Sequence, residues 1–138
     1  EERVTVAAAF WSEVAKQIPD WQAARDRKIS AADLRREFVH SHALALAGLA
    51  RAGNALLKQD GKSWKAKLKK LSTLDWSRAN TAMWEGRAMS AGRLSKRNAN
   101  VTLTGNLIKQ HLGLELTQEE QQLESDYTRS TNGSRRNR

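Results

Sequence analysis

Apolar residues recur along most of this chain at the three- and four-residue spacing of an amphipathic helix. Val4, Ala7, Ala8, Trp11, Val14, Ala15 and Ile18 line one face over about four turns. Pro19 stops that stretch, because a proline pushes the residue before it out of the α region. Asp20 is placed to cap a short turn over residues 21–27. Ser30, with Asp33 three positions on, has the form of a capping box and opens a longer helix. Its stripe is Leu34, Phe38, Ala45, Leu49, Ala52 and Leu56, running to about Gln59, where Asp60-Gly61 signals a turn. Alanines, Gly48 and Gly53 make this stripe narrow, which suits a helix neighbour packed closely against it.

The pattern then changes character. In KSWKAKLKKL, Trp64, Leu68 and Leu71 share one helical face, and Lys62, Lys65, Lys67, Lys69 and Lys70 cover the rest. Residues 75–116 mix large aromatics, charges and glycines too tightly for a simple amphipathic element, so they read as a shaped polar site or a tightly specified connection. Asp75 or Ser77 is placed to cap a segment carrying Trp76, Met83, Trp84 and Met89. Gly86, Gly92 and residues 95–98 predict a loop or broken helix, and Val101, Thr102 and Leu103 a short extended piece. Thr104 caps a helix containing Leu107, Ile108 and Leu112, ended by Gly113. Thr117 and Glu120 form another capping box, leading to Leu123 and Tyr127. From Thr128 the chain holds no apolar residue, and disorder is predicted. The fold class is mainly α: a compact multi-helix domain over residues 1–127 with a disordered basic tail over 128–138.

Composition narrows the function classes. The chain has 138 residues, one proline, no cysteine and a formal charge of +9. It is most simply one domain, long enough to bury a core. The positive excess attracts polyanions: DNA, RNA or an acidic membrane surface. Without cysteine there is no disulfide, thiolate nucleophile or cysteine metal ligand, which fits a cytoplasmic setting. No apolar run approaches the ~20 residues of a membrane span, so no membrane partner is expected. The start, EERVTVAAAF, lacks the marks of a signal peptide and begins as if inside a helix. The chain therefore reads as a piece of something longer.

Catalytic chemistry finds little support. His40 and His42, two apart on the predicted helix, point about 200° away from each other and share no metal. His111 stands alone, and no phosphate-binding glycine loop is present. Asp75, Arg78, Glu85 and Arg87 offer a nucleotide-binding or enzymatic alternative. The simpler reading makes them structural salt bridges that orient Trp76 and Trp84 in the core. No catalytic residue, metal or cofactor is expected.

Binding chemistry is better supported. No acidic residue interrupts residues 62–70, whereas a solvated helix normally mixes both signs. Arg87, Arg93, Lys96 and Arg97 lie among serine, asparagine and glycine, a setting suited to phosphate or base-edge contact. Arg129, Arg135, Arg136 and Arg138 add charge at the end. Residues 104–113 have the proportions of a helix-turn-helix element, though the signal is weak.

The strings DWSRANTAMWEGRAM (residues 75–89) and GRLSKRNANVTLTGNLIKQHLGLEL (residues 92–116) resemble the C-terminal part of the DndB family of DNA sulfur modification proteins. FWSEVAKQIPDW (10–21) and REFVHSHALALAGLARAGNALL (36–57) are similar to the same family in the same order. The resemblance implies a protein encoded with the phosphorothioation enzymes, which replace a nonbridging phosphate oxygen with sulfur. It implies a DNA-binding repressor of the modification operon and not a sulfur-inserting enzyme. The family also carries an upstream module with a DGQHR motif, a string this chain does not contain, so a C-terminal piece is expected. No catalytic residues transfer onto it.

The combined expectation is a domain that binds duplex DNA at the operon promoter. Lys62, Lys65, Lys67, Lys69, Lys70, Arg78, Arg87, Arg93, Lys96 and Arg97 are its candidate DNA contacts. The alternative is a protein-interaction domain, self-associating or docking on the phosphorothioation enzymes through its alanine-rich helix.

Overall fold

Helix α1 (Glu2–Gln17) buries a face of Phe10 and Val14, continued by Ile18, while Val4, Ala7 and Ala8 of the expected stripe are exposed. Pro19 does more than stop it. Its fixed φ and missing N–H suit the first position of a helix, and α2 (Pro19–Arg25) begins there. Asp20 therefore lies in the first turn of α2 instead of capping it, and its carboxylate turns to His40. The structure, a computed structural model, describes residues 2–136 and the side chains of residues 3–133.

The single helix expected from Ser30 to Gln59 is two helices. Helix α3 (Ala31–Glu37) starts as predicted, with Ser30 Oγ accepting the Asp33 N–H at 3.1 Å. The chain turns extended at Phe38, which bridges Ser77. Val39 N–H donates to the Trp76 carbonyl and Arg78 N–H to the Glu37 carbonyl, both at 2.9 Å. Phe38 and Val39 favour extended backbone, and these bonds replace the helical ones given up. The helix resumes as α4 (Ala43–Gln59). His40 and His42 thus sit on a connection, not on one helix face.

Helix α4 packs along α7 (Asn98–His111), and this pair is the centre of the fold. Small residues set the approach: a Cβ at Gly48 would lie 3.1 Å from the Gly105 nitrogen. Gly53 lies under the Phe10 ring, which a Cβ would strike. The narrow stripe of α4 is therefore covered from within the chain. That removes the feature which favoured a protein-docking role.

Helix α7 begins at Asn98, so the piece expected to be extended at Val101–Leu103 is helical and Thr104 is a buried interior residue, not a cap. Leu103, Thr104, Gly105, Asn106, Ile108 and Lys109 of α7 are buried. The stretch expected as a separate helix over 104–113 is therefore the buried later part of a longer helix that starts six residues earlier. Gly113, at φ 80°, follows the C-cap as expected.

The remaining elements are short. Helix α5 (Trp64–Leu68) tightens into a 3-10 helix over Lys69–Thr73. Helix α6 (Thr81–Trp84) is capped by Asn80, whose Oδ1 accepts the Met83 N–H at 3.2 Å; neither Asp75 nor Ser77 caps it. Strands β1 (Met89–Ser90) and β2 (Arg93–Leu94) pair antiparallel, Met89 opposite Leu94. Ala91 and Gly92 between them both have positive φ, 52° and 78°, as a two-residue hairpin turn of type I′ demands.

Helix α8 (Gln118–Arg136) opens on the predicted reciprocal box: Thr117 Oγ1 accepts the Glu120 N–H at 3.2 Å, and Glu120 Oε1 accepts the Thr117 N–H at 2.9 Å. It continues past Thr128, where disorder was expected to begin. The part before Thr128 is fastened by carboxylates that meet buried cations, Glu120 with Lys109 and Glu124 with Arg87, and the exposed stretch after it carries no apolar period to mark it. Residues 137 and 138, and the side chains from 134 on, lie outside the described residues. The fold is mainly α and compact, and no helix among the described residues is long and apolar enough to cross a membrane.

Candidate nucleic-acid interface

The lysine-rich segment is held by its apolar side. Leu68 and Leu71 are fully buried, and the Trp64 ring lies 6.4 Å from that of Phe10. His111 Nε2, at the C-terminal end of α7, lies 2.8 Å from both the Lys70 carbonyl and Thr73 Oγ1, tying the 3-10 turn down. Lys62, Lys65, Lys69 and Lys70 are left exposed, and among the described residues none of them has a carboxylate partner. Lys67 differs: its Nζ lies 3.1 Å from Asp60 Oδ2, an acid just outside the uninterrupted run.

The second basic group is set by the hairpin at the other end of α7. Glu85 accepts the N–H groups of Ala91 at 2.6 Å and Gly92 at 3.2 Å, neutralising the donors of the turn. Asn100 donates to the carbonyls of Gly86 and Arg87, and its Oδ1 accepts the Ser95 hydroxyl. This network leaves Arg93, Lys96 and Arg97 exposed, with no carboxylate partner among the described residues. A cleft of about 320 Å³ lies between the hairpin and the start of α7, lined in part by Met89, Arg93, Leu94 and Arg97. The 14 residues of α7 separate the two basic groups by about 20 Å along the helix.

Two expected DNA contacts have other partners. Arg87 is buried; its guanidinium donates to Glu124 Oε1 at 2.6 Å and Oε2 at 2.9 Å and to the Leu103 carbonyl at 2.8 Å, and lies over the Tyr127 ring. Arg78 is half-buried and donates to the carbonyls of Arg35 and Gly92, bracing the hairpin against α3. A guanidinium with its donors committed inside the fold is not available to a phosphate.

The proposed salt bridges of Asp75 and Glu85 do not form either. Asp75 accepts the Ser77 N–H and the Asn80 amide, and Glu85 holds the hairpin turn. The four polar residues considered as a nucleotide site serve separate local contacts. Trp76 and Trp84 are core residues, stacked at 5.5 Å with 17° between ring planes, and Trp84 Nε1 donates to the Asp75 carbonyl at 2.9 Å.

The histidines stand apart from one another. His40 is fully buried between Asp20 and Trp21, and burial pushes its pKa below the ordinary 6.5. His42 Nε2 lies 2.7 Å from the Arg35 carbonyl. Among the described residues no three metal-ligating side chains converge. The contacts missing from the sequence reading, Lys67 with Asp60 and Arg87 with Glu124, carry no local signature. Glu124 is 37 positions from its partner.

These features define a small helical protein with a central α4–α7 pair and exposed cations at both ends of α7. The chain belongs to the DndB family, described as DNA-sulfur modification-associated, whose family model matches residues 1–115. Membership places it with DNA sulfur modification systems. No curated protein and no solved structure matches it.

Proposed function

We propose that this chain is a DNA-binding regulatory domain of a phosphorothioate modification system, acting by binding rather than catalysis and repressing the modification operon. The observation that carries the reading is the group Lys62, Lys65, Lys69 and Lys70, exposed with no carboxylate partner among the described residues, on a segment anchored by Leu68 and Leu71. Such lysines serve as flexible point charges along a phosphate backbone. Arg93, Lys96 and Arg97, at the opposite end of α7, extend the contact to a second stretch of backbone. Family membership supports DNA as the polyanion.

The test is a titration of the chain with the operon promoter and with a scrambled duplex of equal length, at two salt concentrations. About six phosphate contacts give a log–log salt slope of roughly −5. The variant K62E/K65E/K69E is expected to bind at least about tenfold more weakly while melting at the same temperature. Unchanged affinity removes this segment from the interface. Absence of binding at low salt overturns the reading.

A further inference from the structure

The chain from Lys69 to Arg97 runs back along one face of α7, and three contacts fix its course. At one end His111 Nε2 meets the Lys70 carbonyl and Thr73 Oγ1. In the middle Leu107 shares a shallow recess of about 390 Å³ with Asn80, Ala82 and Met83. At the other end Asn100 holds the hairpin through the Gly86 and Arg87 carbonyls and the Ser95 hydroxyl. Leu107 is seven positions and His111 eleven positions beyond Asn100, each within about 20° of a whole number of helical turns. The three side chains therefore project from one side of α7, with roughly 16 Å along the axis between the two outer anchors.

Both basic groups thus share one side of the central helix. Lys69 and Lys70 are exposed at one end, Arg93 and Arg97 at the other. The interval between them is neutral: Thr81 and Ala82 are exposed, and Asn80 and Met83 half-buried. The acids of this stretch, Asp75 and Glu85, are turned to backbone and amide donors. Its other cations, Arg78 and Arg87, have their partners inside the fold.

Two positive ends with a neutral interval do not suit one continuous strand, which would lay further phosphates over the recess. They suit two rows of phosphates with a groove between them. In B-form DNA the rows stand roughly 18 Å apart across the major groove and roughly 12 Å across the minor, the free widths of about 12 and 6 Å plus one phosphate diameter. The spacing of the anchors fits the wider groove. We propose that the chain straddles the major groove of a B-form duplex, with Lys69 and Lys70 on the backbone of one strand and Arg93 and Arg97 on that of the other. The surface of α6 at Thr81 and Ala82 then lies over the groove. This rests on the DNA-binding reading above and specifies its partner as a duplex engaged on both strands.

The experiment is a titration of the chain with one A·T-rich duplex, alone and with each groove filled in turn, the minor by netropsin and the major by methyl green. Methyl green is expected to displace the chain and netropsin to leave it bound. The log–log salt slope reads the two ends separately: K69Q/K70Q and R93Q/R97Q should each make it shallower by about 2, and the two together by about 4. A82E, between the ends, should weaken binding at least about tenfold, and melting curves confirm that the variants fold. Displacement by netropsin alone, by both ligands or by neither overturns the inference and leaves the DNA-binding reading standing. So does a slope unchanged in either double variant, or unchanged binding by folded A82E. No binding at low salt overturns both readings together.

Discussion

Lys109 Nζ lies 2.5 Å from Glu120 Oε2, with the two side chains 9% and 6% exposed. The ammonium comes from the central helix α7 and the carboxylate from the first turn of α8. The same carboxylate closes the capping box with Thr117. One side chain thus starts a helix and fastens it to the core.

Removing one partner strands the other. E120A should destabilise the chain by about 3–5 kcal/mol, because it leaves a buried ammonium without compensation. K109M/E120L should cost less than the sum of the single changes, a coupling read by urea unfolding in a double-mutant cycle. Burial pushes the Glu120 pKa up, but the hydrogen bonds from Lys109 and Thr117 outweigh it and hold the carboxyl below its ordinary 4.5. The resulting stability is present above pH 4.5 and is lost as pH falls through the lowered value. E120Q should remove that acid-side slope.

Arg87 separates structural cations from binding ones. Lysine cannot reproduce its two-pronged contact with Glu124. R87K should lose about 2 kcal/mol of stability yet leave the DNA affinity of the folded protein unchanged. R93Q should do the reverse. Calorimetry and the DNA titration on the same samples distinguish them, and weakened DNA binding by folded R87K would return Arg87 to the interface.

His40 should make the fold sensitive to mild acid. Trp21 Nε1 donates to its Nδ1 at 3.2 Å, so that nitrogen carries no proton and Nε2 faces Asp20 at 3.0 Å. Burial lowers the pKa and the neighbouring His42 adds to that, while Asp20 opposes both. The neutral form is thus favoured in the folded state. Its stabilisation is complete above pH 6.5 and declines as pH falls from there toward the lowered value. Unfolding midpoints from pH 8 to pH 5 should show this decline in the native chain and a flatter profile in H40Q. An equal slope in H40Q would assign it to another group.

What the sequence made legible was mostly local. The second half of the α1 face (Val14, Ile18), the Ser30 and Thr117 caps, the Gly113 stop and the core role of Trp76 and Trp84 follow from spacing and side-chain chemistry; the first half does not, since Phe10 is buried and Val4, Ala7 and Ala8 are exposed. The break at Phe38 was hidden because its cause, the backbone of Trp76, Ser77 and Arg78, is remote in sequence. The helical stretch beyond Thr128 left no apolar period to read, since its described side chains are exposed or half-buried. At the candidate interface, residue type anticipated the exposure of Lys62, Lys65, Lys69 and Lys70 but not the pairing of Lys67 with Asp60. It could not tell Arg87 from Arg93, because only the fold decides which arginine meets a carboxylate.

The bridge between Phe38 and Ser77 also has a consequence in time. Helical turns and hairpins close over a few residues, whereas this contact encloses all of α4 and the lysine-rich segment. The loop entropy must be overcome before the two hydrogen bonds return anything. The bridge should therefore form late, after α4 has found its neighbours. Trp76 should take its final surroundings only then, so in a variant keeping Trp76 as the single tryptophan of the five, indole fluorescence should report the last stage of folding.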